Sequence, residues 1–113
     1  MTYIQIFNLV KAAGDRLARQ ESLPLKEIIL TSKKELGAQG KCSHNGVIHI
    51  TVHRSQEAME SVRIIRTAQT ICHELSHLKE MNHGPEFWRY QEYLCLEMSK
   101  ILGMKIQPER YVV

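Results

Sequence analysis

Between residues 56 and 80 apolar side chains recur at helical spacing on two stripes, Ile64, Ala68, Ile71, Leu75 and Leu78 on the first and Met59, Val62, Ile65 and Cys72 on the second. A helix with so little polar circumference has to be enclosed, so the rest of a 113-residue chain must wrap around it. A chain of this length buries about two-thirds of its unfolded surface, enough for one domain with one core spanning residues 1–113. Ser55 is placed to cap the helix at Gln56, and Glu57 and Glu60 fall in its first turns, where the macrodipole favours anions.

The flanking segments divide into further elements. Residues 2–20 carry Ile4, Phe7, Val10, Gly14, Leu17 and Ala18 at three- and four-residue steps, which predicts an N-terminal helix ended by Ser22 and Pro24. The β-branched residues of 25–32 predict a strand, and Lys33 to Gly46 predicts turns with a short strand near 38–42. Asn45-Gly46 is a hairpin signal. After it Val47, His49, Thr51 and His53 alternate with Ile48, Ile50 and Val52, the period of a half-buried strand. Asn82 to Pro85 breaks the chain, and Phe87, Leu94, Met98 and Ile101, with Tyr90 or Gln91, predict a last helix up to Gly103. Residues 104–113 read as a short tail or edge strand. Together these predict an α+β fold: a short antiparallel or mixed sheet packed on the central helix, with helices at both ends.

Composition narrows the functional classes. Charged residues make up 24% of the chain and no apolar run approaches the roughly 20 residues of a membrane span. The N-terminal stretch lacks the marks of a secretory signal, so an intracellular, cytoplasmic protein is expected, without a membrane partner. The net charge of +3 is spread thinly, with no basic run or aromatic interleaving to support DNA association. Lys33, Lys34, Arg63 and Arg66 read as a solvated face. Cys42, Cys72 and Cys95 are too few and too far apart for a disulfide framework or a zinc knuckle, and are expected as reduced thiols.

Chemistry concentrates in His73-Glu74-Leu75-Ser76-His77, an HExxH sequence on the enclosed helix. Four residues turn about 400° and rise about 6 Å, so both imidazoles share one face and can converge on one ion. Catalytic zinc takes three protein ligands, and His83, six residues after His77 and just beyond the predicted helix end, is the natural third. Glu74 is free to act as general base on a zinc-bound water. The metzincins share the spacing, but their linker glycine corresponds to Glu80 here and no match to their Met-containing turn is evident.

Residues 73–88, HELSHLKEMNHGPEFW, resemble the SprT-like zinc metallopeptidases and the related YgjP-type predicted metal-dependent hydrolases. Gly40-Lys41-Cys42 followed by Gly46 to Ile50 resembles the glycine-containing hairpin that precedes the active-site helix in those families. The resemblance implies a small zincin fold, Zn2+ held by His73, His77 and His83, Glu74 as catalytic base, and a zinc metalloprotease acting on a protein or peptide. The strand at residues 47–52 is expected to border the cleft and pair with an extended substrate, the way edge strands accept peptides.

The competing reading is a catalytically inactive, zinc-stabilised module that binds protein or DNA, in which Cys42, His44 or His49 closes the fourth coordination position. A hydrolase acting on another amide is a third. His44, His49 and His53 read as solvent-facing, Tyr90 and Tyr93 as packing residues with wetted tips, and Cys72 as core. Phe87 and Trp88 are expected to anchor the last helix and fix the His83 turn.

Overall fold

A computed structural model describes residues 1–52 and 59–108. The first helix, α1 (Tyr3–Gln20), starts at a capping box in which Thr2 and Gln5 satisfy each other's backbone amides. Its inner face, Ile6, Phe7, Val10, Leu17 and Ala18, is buried. Ile4, expected on that face, is 49% exposed, since the buried stripe starts two residues later.

Strand β1 (Glu27–Leu30) leads to the short helix α2 (Lys33–Leu36), which the turn-rich sequence did not reveal and which Ser32 caps. Strands β2 (Gly40–Cys42) and β3 (Val47–Ile50) form the expected hairpin. Gly46 turns it at φ 83°, and a side chain there would come within 2.4 Å of the Pro24 carbonyl oxygen. The sheet is mixed, in the order β1-β3-β2, with β3 parallel to β1 and antiparallel to β2. Ile48 and Ile50 point into the core as the alternation predicts. The strand ends at Ile50, earlier than expected, although the Thr51 amide still donates to the Gln39 carbonyl in register with β2; His53 lies outside the described residues.

The central helix is α3 (Glu60–His77). Met59 occupies its N-cap without a side-chain bond, and the expected Ser55 cap lies outside the described residues. The helix ends before Glu80, because the amides of Leu78 and Lys79 tighten onto the carbonyls of Leu75 and Ser76 three residues back. The first apolar stripe is enclosed as far as Leu75. The second is not: Met59 is exposed and Val62 and Ile65 are half-buried. Polar residues fill much of the enclosed face instead, and Thr67, Thr70 and Ser76 satisfy their hydroxyls on the carbonyls of Arg63, Arg66 and Cys72. Arg63 belongs to this buried set rather than to a solvated face, and its guanidinium donates to the Met1 carbonyl.

Helix α4 (Pro85–Leu102) begins with Pro85 and stops at Gly103 as predicted. Residues 104–108 form no strand; Ile106 is buried beside α4, its amide bonded to Ser99 Oγ. One apolar cluster joins α1, the sheet, α3 and α4, giving an α+β fold around the HExxH helix. Among the described residues, no helix is long and apolar enough to cross a membrane.

Candidate metal centre

His73 and His77 stand one turn apart at the C-terminal end of α3, and the turn at Asn82 brings His83 back against them. His83 Nε2 lies 3.2 Å from His73 Nε2 and 3.1 Å from His77 Nε2. Tetrahedral zinc with bonds of 2.0–2.1 Å holds its nitrogen ligands roughly 3.3 Å apart, so this spacing fits a shared ion.

The outer nitrogens explain why the inner ones are available. His77 Nδ1 lies 3.1 Å from the Glu80 carbonyl oxygen, which can only accept, so Nδ1 carries the proton and Nε2 presents a lone pair. His73 Nδ1 is held the same way, donating to Oε1 of Gln91 at 2.8 Å. Burial, helped by the neighbouring His77, holds His73 down to about 4 against the opposing Gln91 hydrogen bond, and burial also lowers His77. Both are therefore neutral near pH 7, the form that binds metal.

Phe87 is fully buried beneath the cluster, its ring 4.9 Å from His73, 4.6 Å from His77 and 4.9 Å from His83 between centroids. Trp88 stacks on the His83 imidazole and donates its indole N–H to the His83 carbonyl at 3.1 Å. These two residues fix the His83 turn as expected. Pro85, at the start of α4, places both in its first turn.

Glu74 is buried and lies against β2. A Cβ at Gly40 would sit 2.9 Å from Glu74 Oε2 and 2.7 Å from Thr70 Cγ2, so only glycine lets the strand come this close. Cys42, two residues along, is pushed up to about 11 by burial and by the Glu74 charge.

Other candidates stand apart. Among the described residues, no cysteine, carboxylate or further histidine joins the three-histidine cluster. His44 is exposed, and His49 Nδ1 pairs with Thr31 Oγ1 at 2.9 Å. The Tyr93 hydroxyl donates to Glu21, and Tyr90 lies under Lys79 Nζ. Cys72 and Cys95 are buried free thiols, hydrogen-bonded to each other. Strand β3 is hydrogen-bonded on both sides, so it has no edge for the expected substrate pairing; β2 is the strand beside Glu74 with an unpaired edge among the described residues.

Gln91 is the residue that sequence reasoning passed over. Its signal was a polar amide at an apolar position of the last helix, in register with Phe87, Leu94 and Met98.

The profile of the YgjP-like family, described as a metallopeptidase domain, matches residues 39–101, more than half of the chain. No curated protein and no solved structure gives a significant match.

Proposed function

The chain belongs to the YgjP-like family of metallopeptidase domains, and from that premise we propose that it is a zinc-dependent peptidase. His73, His77 and His83 would hold the ion and Glu74 would be the general base. The observation that carries this reading is the convergence of three Nε2 atoms, two of them stripped of protons by acceptors at Nδ1. A cluster of three histidines without a fourth protein ligand among the described residues favours a catalytic centre over a closed structural one. Zn2+, when bound there, would supply a Lewis acid that polarises the scissile carbonyl and acidifies water.

The remaining steps belong to the chain's own residues. Glu74 takes the proton of the attacking water and returns it to the leaving amine, work suited to a carboxylate held out of bulk solvent. Gly40 positions that carboxylate by admitting the β2 backbone beside it. The unpaired edge of β2 offers backbone groups to an extended, unfolded peptide, which makes recognition tolerant of sequence.

Elemental analysis of the wild type, His77→Ala and Glu74→Gln, with hydrolysis of an unfolded protein followed in parallel, tests the assignment. About one zinc per chain in wild type and Glu74→Gln, its loss in His77→Ala, and hydrolysis in the wild type alone are expected. Full hydrolysis by Glu74→Gln, or a wild type that takes up no zinc, would sink it.

A further inference from the structure

One turn before Glu74 on α3, the helix and the ends of β1 and β3 enclose a cleft of about 600 Å³. Lys33, Lys34 and Arg66 line it together with Gln39, Thr67 and Thr70, and among the described residues no aspartate or glutamate does. All three cations are exposed, and none forms an ion pair among the described residues. Such a concentration of one charge in a concave, partly apolar setting attracts an anionic group and strengthens its binding relative to open solvent.

The cleft adjoins the Glu74 side of β2. Thr70, part of its wall, and the Glu74 carboxylate close on the same point of β2, within 2.7 and 2.9 Å of where a Gly40 side chain would begin. Gln39, the residue before, lines the cleft. A peptide following the outer edge of β2 past Glu74 is therefore led into it. Arg66 precedes Glu74 by two turns, about 12 Å along the helix, which three to four residues of extended chain span at about 3.3 Å each.

We infer that this cleft is a subsite for an acidic side chain of an extended peptide, three to four residues from the bond acted on. The inference rests on the peptidase reading and gives it a substrate class. Arg66 provides a planar fork that matches a carboxylate, and Lys33 and Lys34 add charge that steers acidic segments toward the cleft. A carboxylate on a peptide is favoured over a free phosphate because Gln39, the residue before β2, lines the cleft and brings the edge proposed to take backbone up to it.

Fluorescence anisotropy on the full chain carrying Glu74→Gln reads binding without turnover. The probes are a labelled polyalanine decapeptide with two glutamates near one end and its glutamine counterpart, with inorganic pyrophosphate as competitor. The glutamate peptide is expected to bind at least about tenfold tighter, and Arg66→Glu with Lys34→Glu to erase that preference without lowering the thermal midpoint. Equal or absent binding of the two peptides, a preference that survives charge reversal, or pyrophosphate as the one ligand sensitive to it would each overturn the subsite. Absence of zinc or hydrolysis in the wild type leaves this measurement intact, so the two readings fail separately.

Discussion

Gln91 Oε1 accepts a hydrogen bond from His73 Nδ1 at 2.8 Å, in a pocket where the glutamine side chain is fully enclosed. The contact joins the middle of α4 to the end of α3 and sets the tautomer of His73. If the amide were turned to present its nitrogen, His73 would have to accept at Nδ1 and carry its proton on Nε2, facing the other two histidines.

Removing that acceptor should therefore weaken the metal site without touching a ligand. Gln91→Leu is expected to lower zinc affinity about 10- to 100-fold, read by competition with a chromophoric chelator. Gln91→Glu supplies a stronger acceptor in the same place and should hold zinc at least as tightly as the wild type. Unchanged affinity in Gln91→Leu would reduce the contact to packing.

Gly40→Ala tests the contact between β2 and Glu74. The added methyl would enter the space of Glu74 Oε2 and Thr70 Cγ2, both under 3.0 Å from it, so strand or carboxylate must shift. On the peptidase reading the hydrolytic rate falls about 10- to 100-fold while zinc content stays near one per chain. Overpacking should also lower stability by about 1–3 kcal/mol. Loss of zinc together with activity would instead point to a general collapse of the site.

These two contacts also mark where sequence reasoning reached its limit. The HExxH spacing and the Asn-His-Gly-Pro break were enough to name the three histidines, because one helical turn and one chain reversal are local geometry. Phe87 and Trp88 were legible for the same reason, lying within five residues of His83. Gln91 shows in the sequence as a polar residue on an apolar stripe and Gly40 as a glycine of the hairpin, but what each does comes from the packing of α4 and β2 on α3, which is not local. Strand order is equally non-local: the alternation at 47–52 identifies a strand but not that β1 and β2 flank it, so a strand expected at an edge lies in the middle of the sheet. The solvated face drawn through Arg63 failed because its guanidinium finds the Met1 carbonyl, 62 residues away in the chain.

The metal-free protein should lose stability on mild acidification. His73 is held to about 4 in the fold, against an ordinary value near 6.5. As pH falls below about 6.5 the unfolded chain takes up a proton that the folded chain refuses, so the unfolded state binds more protons and stability falls. The contribution is fully present above about 6.5 and has been lost once pH passes below about 4. Urea midpoints of chelator-treated protein at about pH 7, 5.5 and 4.5 should decline, and His73→Gln should decline less. Equal slopes in the two proteins would assign the whole effect to other groups.

Zinc should itself act as a folding ligand, because the triad is assembled from α3 and the turn before α4 and exists only when both are in place. An ion that binds the folded chain alone stabilises it by about 2.7 kcal/mol at a hundred times its Kd. For a chain of this size that corresponds to a rise in thermal midpoint of roughly 10–20 °C. The rise should vanish in His77→Ala and His83→Ala and persist in Glu74→Gln, whose carboxylate stands outside the cluster. Trp88→Phe should fall between them: it keeps an aromatic ring over His83 but loses the indole hydrogen bond to the His83 carbonyl, so the third ligand must be ordered when the ion binds. A full wild-type shift in His83→Ala would remove that residue from the site and leave a two-histidine centre that needs another partner.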